Sequence, residues 1–278
     1  MPNREQLTEF AAPPFNSLSD VRGDPLNADL RILFAGNQYM VLPELMGAFD
    51  GEGPRSVFYE TLPPGILIQQ FRAGGIRIGS LELRFTPDVL AASPAALGEL
   101  HEEGLLGEPK TYASNDLALL VAEGNPHGIR GLSDLGVPGI RVALPDPQTE
   151  GIGDLALAAL AALGAAGGES LREEVFHTKR DTGETVLTSI HHRQSPAWIS
   201  QGWVDAAIVW STEAAHLERD GAPVEGVMIT PEHNQRGEYA AALVNDAPHD
   251  EAAKDFLEFI TGGTAAHIYS EFGFDVSR

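Results

Sequence analysis

Residues 198–214, WISQGWVDAAIVWSTEA from Trp198 to Ala214, decide how this chain is read. Pro196–Gln201 has the pattern of a short helix, and Gly202 ends it. Ala206–Trp210 is a run of five apolar residues, short and β-branched enough for a buried strand. Ser211, Thr212 and Glu213 then start a second helix, expected over Thr212–Glu218. The unit is helix, strand, polar junction, helix. Trp198 and Trp203 are expected to be packing residues. Trp210, at the strand end, is the tryptophan expected near a ligand.

The same alternation extends outward in both directions. Strands are expected at Arg31–Ala35, Ser56–Tyr59, Leu117–Val121, Ile140–Leu144, Val227–Ile229 and Tyr239–Val244. Helices are expected at Tyr39–Phe49, with Pro43 tolerated in its first turn, and at Gly65–Ala73, Ala95–Glu103, Leu132–Leu135 and Ile152–Leu163. Asp250–Ile260 and Thr264–Phe272 close the chain as helices. This alternation predicts an α/β protein with mostly parallel sheets, whose ligands sit outside the carboxyl ends of the strands. Residues 1–29 lack periodicity and read as an extended arm.

Composition narrows the chemistry. Forty acidic residues against eighteen Lys and Arg give a net charge of −22 in 278 residues. An acidic surface repels nucleic acid and anionic membranes, so neither is expected as a partner. The absence of cysteine removes disulfides, thiolate nucleophiles, Fe–S clusters and cysteine zinc sites. No apolar run reaches the length of a membrane-spanning helix. The first residues, MPNREQLTEF, do not form a secretory leader, so either a leader has been removed or the protein stays inside the cell.

Candidate ligand-binding residues lie at the strand-to-helix junctions. The first junction carries Asn37 and Gln38, the second Tyr59, Glu60 and Thr61, the third Thr149 and Glu150, and the fourth Trp210 to Glu213. Helix N-termini present unpaired N–H groups and a favourable dipole end to anions. Taken singly, Asn37, Asp146, Ser211 and Thr212 can be read as plain N-caps. The segment His191-His192-Arg193 adds three further candidates. Adjacent histidines diverge from one another, which argues against a shared metal. Arg193 suits a carboxylate or oxyanion, or equally a surface ion pair. No nucleophile elbow, P-loop or dinucleotide fingerprint is present.

Four stretches carry a family resemblance: Tyr112–Pro126, Gly128–Gly153, Trp198–Ala214 and Ala253–Phe274, joined by RILFAGNQYMVLPELMGAF near the start. In that order they resemble the type II periplasmic solute-binding proteins of ABC importers, in particular the molybdate-binding group. The resemblance implies a two-lobe α/β fold with a mixed sheet in each lobe and a two-strand hinge. After the arm at 1–29, lobe 1 is expected over 30–111 and 241–278, and lobe 2 over 112–240. A small solute, anionic by the family's habit, is expected in the inter-lobe cleft.

By the same resemblance, the family's first serine is replaced by Asn37 and its second falls near Tyr59-Glu60. The backbone donor loop falls at Thr149-Glu150, the next helix start at His192-Arg193, and the cleft tyrosine at Trp210. The gain of Glu60 for a serine points away from a bare dianion. The implied partners are a small-molecule or oxyanion solute and an ABC permease, with the protein a monomer, without cofactor and not an enzyme. The family's location is periplasmic or extracellular. Two alternatives stay open: an intracellular sensor of the same fold, and a metal-binding or metal-dependent centre built from Glu60, His191, His192 and Glu213.

Overall fold

The computed structural model describes residues 8–9, 20–50, 55–78, 80–164, 170–188 and 194–276. Two short strands, β1 (Thr8–Glu9) and β2 (Val21–Arg22), precede β3 (Leu30–Ala35). A single 3-10 turn, Gly36–Gln38, leads toward α1 (Leu42–Asp50), where Pro43 sits in the first turn and removes no intrahelical bond. Strand β4 (Val57–Leu62) runs three residues past the expected end, so Tyr59, Glu60 and Thr61 lie within it and not beyond it. Pro63 and Pro64 stop the strand, and Pro64 opens α2 (Pro64–Ala73) at a position suited to its fixed φ. Gly74, at φ 71°, closes that helix by donating to the carbonyls of Gln70 and Phe71.

Besides β1, β2 and a short strand at Thr185–Leu187, three further strands were not read from sequence. These are the hairpin β5 (Gly75–Ile78) and β6 (Leu81–Arg84), and β7 (Val89–Ala92). Helix α3 (Pro94–Glu102) follows, capped by the Ser93 hydroxyl accepting from Ala96 N–H at 3.3 Å. The long strand β8 (Lys110–Ala122), the 3-10 turn Leu132–Gly136, β9 (Val142–Leu144) and α4 (Gly151–Ala161) come next. A π-helical stretch at Glu173–Thr178 continues into α5 (Lys179–Asp181). Then come β10 (Thr185–Leu187), α6 (Gln194–Ser200), β11 (Ala206–Trp210), α7 (Ser211–Arg219) and β12 (Val224–Met228). The chain ends through β13 (Arg236–Leu243), α8 (Asp250–Ile260) and α9 (Gly263–Glu271).

The chain forms two compact units, Met1–Ser114 with Glu238–Arg278, and Asn115–Gly237. It passes to the second unit within β8 and returns within β13. In the first unit β3 pairs in parallel with β4 and β7, while β2 and β13 are antiparallel to β4 and β7. Val21–Arg22, inside the stretch read as an arm, is thus an edge strand of this sheet. One face packs Phe34, Phe49, Phe256, Phe259 and Tyr269, and the other packs Leu33, Phe58, Leu67, Leu90 and Leu97. In the second unit β9 is parallel to β10 and β11, and β8 is antiparallel to β11 and β12. Each sheet is therefore mixed: the crossing strands run against the strands of the βα units beside them.

Candidate functional site

In the first unit β3, β4 and β7 all end on the same edge of the sheet. Asn37 and Gln38 follow β3 there, and both are buried. The Asn37 amide nitrogen donates to the Tyr239 hydroxyl in a short hydrogen bond. The Gln38 carbonyl accepts from Tyr112 at 2.8 Å and from Tyr269 at 2.6 Å. Burial pushes the Tyr112 and Tyr269 phenols up, so both remain protonated donors. The two amides are thereby fixed in direction by tyrosines from β8, β13 and α9.

Residues on β4 alternate in direction. Glu60 shares a face with Phe58 and Leu62 and lies beside Gln70 of α2, with Val21 as its cross-strand neighbour. Burial is the main cause that pushes its carboxyl up to about 8; Gln70 pulls it down, and the nearby charge of Asp20 raises it. Tyr59 and Thr61 point to the opposite face. Tyr59 is half-buried, and its hydroxyl is pushed up by burial. Thr61 donates its hydroxyl proton to Asp20 at 2.9 Å.

In the second unit β9, β10 and β11 also end on one edge. The register Trp210↔Leu117 brings Leu117 of β8, and Asn115 just before it, to that edge as well. Asn115 is held between the two residues that open α7: Ser211 donates to its carbonyl at 2.9 Å, and its amide donates to the Thr212 hydroxyl at 2.8 Å. Thr188, just after β10, donates to the Glu150 carboxylate and accepts from Asp146 N–H at 3.3 Å. Neither α4 nor α7 has a side-chain cap at its start. Their first-turn N–H groups and dipole ends are therefore what these strand ends present.

Thr149 is exposed, Glu150 and Glu213 are buried, and Glu213 lies in the first turn of α7. Trp210 is buried at the end of β11; a Cβ on Gly237 would lie 2.4 Å from its ring. Trp203, expected to pack, is 60% exposed because it follows the turn that ends α6. His191, His192 and Arg193 lie outside the described residues. Among the described residues no cluster of three or more His, Asp or Glu is arranged to hold a metal. Sequence reasoning missed Asp20, Asn115, Thr188, Tyr112, Tyr239 and Tyr269. Only Asn115 had a visible signal, as a polar residue at the start of an apolar strand.

The third junction depends on one glycine. A Cβ on Gly153 would stand 2.5 Å from the backbone N and Cα of Pro147, so the Asp146–Glu150 loop packs directly on the first turn of α4. Gly153→Ala is expected to push this loop off the helix at a cost of about 1–3 kcal/mol. Chemical denaturation followed by tryptophan fluorescence checks this. An unchanged midpoint would mean that the loop is not held by this contact.

A family model described as bacterial extracellular solute-binding protein matches residues 30–275. The molybdate-binding protein ModA of Mycobacterium tuberculosis (strain ATCC 25618 / H37Rv) is 25% identical over 221 residues, covering 74% of this chain and 77% of the relative. The periplasmic molybdate-binding protein of Azotobacter vinelandii superposes with a TM-score of 0.68 at 18% identity, over 90% of this chain and 100% of that one. The sulfate-binding protein SubI of Mycobacterium tuberculosis H37Rv gives a TM-score of 0.68 at 21% identity, over 88% and 85% of the two chains. At these identities the structural likeness establishes the fold: that of the two-lobe periplasmic binding proteins. With the family match spanning nearly every strand and helix described above, the chain belongs to the bacterial extracellular solute-binding protein family.

Proposed function

We propose that this protein captures a small anionic solute outside the cytoplasm and delivers it, chemically unchanged, to an ABC permease. The observation that carries this reading is the second unit's strand-end edge. There Asn115, Thr188, Ser211 and Thr212 gather beside two helix starts that have no side-chain cap. Ser211 and Thr188 give their protons to Asn115 and Glu150 and so fix the edge. It offers an anion the N–H groups of the helix starts, the Thr212 hydroxyl and the second N–H of Asn115. Asn37 of the first unit supplies an amide at the corresponding edge of its own sheet, and Arg193 is the proposed counter-charge. Thr149 and Glu150 shape the loop that Gly153 supports: their N–H groups turn back to the Asp146 carbonyl at 3.1 and 2.9 Å, so the donors there are those of the first turn of α4. Tyr59 and Trp210 are walls in this reading, and Glu213, acidic and in the first turn of α7, faces the helix's own dipole and is not a contact to the anion. Glu60 is assigned to the interior, against Gln70, and is not a ligand contact.

Thermal unfolding against a panel of inorganic oxyanions, organic acids, polyamines and divalent metals tests this. A ligand present at about 1,000 times its Kd stabilises by about 4 kcal/mol, enough to move Tm by several degrees. An anion is expected to produce that shift, and Arg193→Ala to weaken it. A shift with polyamines or metals and with no anion would overturn the reading.

A further inference from the structure

The chain passes between its two units at Ser114–Asn115 in β8 and at Gly237–Glu238 in β13. Residues on either side of these crossings hold candidate contacts of the solute. In the first unit the Tyr112 hydroxyl of β8 donates to the Gln38 carbonyl, and the Tyr239 hydroxyl of β13 accepts from the Asn37 amide. In the second unit Asn115 of β8 is hydrogen-bonded to Ser211 and Thr212, and the Trp210 ring lies against Gly237 of β13. The junction after β3 and the junction after β11 are thus each gripped by both crossing strands.

The two grips on β13 have distinct physical requirements. An asparagine amide turns about a broad, two-fold torsion, and half a turn exchanges an N–H for a carbonyl. The Tyr239 hydroxyl takes one Asn37 N–H and so sets the direction of the other. A Cβ at Gly237 would stand 2.4 Å from Trp210 Cη2 and 2.9 Å from Cζ3. Any other residue there drives the ring back by about 1 Å to reach ordinary van der Waals separation. Only Glu238 separates Gly237 from Tyr239 along the strand.

We infer that Tyr239 and Gly237 are positioning residues for solute capture: from one crossing strand, Tyr239 orients the Asn37 amide and Gly237 seats the Trp210 ring. The inference rests on the anionic-solute reading above, in which Asn37 and Trp210 meet the solute, and adds the residues that aim them. The crossing strand is then part of the binding apparatus as well as a connection.

Isothermal titration of the full chain with molybdate, sulfate, inorganic phosphate and glycolate finds the anion that binds, and the variants are titrated with it. Tyr239→Phe is expected to weaken binding about fivefold, the worth of one neutral hydrogen bond, and Gly237→Ala about tenfold or more. Double-mutant cycles separate aiming from a general loss of structure. In an Asn37→Ala background Tyr239→Phe should change affinity by less than about twofold. Gly237→Ala should do the same in a Trp210→Phe background, because phenylalanine lacks the ring atoms that the new Cβ would meet. Thermal melts establish that each variant is folded. Nuclear magnetic resonance of the unaltered chain needs no variant: the Asn37 side-chain amide and Trp210 indole N–H signals are both expected to shift as the anion is added. Unchanged affinity in Tyr239→Phe or Gly237→Ala, or an effect that persists in the paired background, would overturn the assignment of that residue while leaving anion capture standing. Unmoved signals would do so for both residues. If none of the four anions binds, the anionic reading fails and this assignment with it.

Discussion

Replacing Glu60 by glutamine is expected to make the protein markedly more stable at pH 8 and to flatten a decline that the unaltered chain shows between about pH 4.5 and pH 8. The cause is burial of the Glu60 carboxyl in the apolar layer between β4 and α2, which raises it from 4.5 to about 8. In the interval between those values the unfolded chain has released the proton and the folded one still holds it. The folded state binds more protons there, so stability falls as pH rises. Below about 4.5 Glu60 is protonated in both the folded and the unfolded chain and the stability is at its full value, and above about 8 the loss is complete. The gap is worth on the order of 5 kcal/mol, a large share of a domain's stability. Gln keeps the shape of the neutral acid and cannot ionise. Urea denaturation across this range, followed in the near-ultraviolet, reads the effect in the first unit, because all five tyrosines (39, 59, 112, 239 and 269) lie there. Parallel curves for the two proteins would show that Glu60 is not held neutral by the fold.

The second large effect is expected at Lys179. This lysine is 2% exposed, and its ammonium donates to the carbonyls of Leu135, Val137 and Ile140 at 2.9, 2.8 and 2.6 Å. Glu184 lies 3.5 Å away and offsets part of the burial that pulls the lysine down from its ordinary value. Three carbonyls that end the 3-10 turn and lead into β9 are thus satisfied by one cation. Lys179→Met fills the space and leaves all three without that donor. Removing one partner of a buried charged set costs roughly 3–5 kcal/mol, more than the side chain's apolar stem can restore. All three tryptophans (198, 203 and 210) are in the second unit, so their fluorescence follows its unfolding directly. The tryptophan transition is expected to move to clearly lower denaturant. An unmoved midpoint would mean that water or other donors serve these carbonyls equally well.

Much of the architecture was legible because apolar runs and their periods are local. RILFA and AAIVW became β3 and β11, and the closing helices became α8 and α9, since each carries its own pattern of burial. VLAA, a four-residue strand, and the β5–β6 hairpin escaped, because strands that short are specified by their partners. SVFY was read as ending at Tyr59, with Glu60 and Thr61 in the junction after it. The strand continues because β2 pairs across it and burial keeps that glutamate neutral.

The order of apolar runs, turn residues and polar junctions by itself determined the α/β class, the family likeness and the strand ends at Ala35, Leu144 and Trp210. Tertiary structure decided which polar groups at those ends meet. Asp20 reaches Thr61 across 41 residues, and Asn37 reaches Tyr239 across 202. Hydrogen-bond partnership and the stripping of water from a carboxyl are set by contacts between distant segments. A one-dimensional pattern specifies which way a side chain faces on its own strand, but not what stands opposite it.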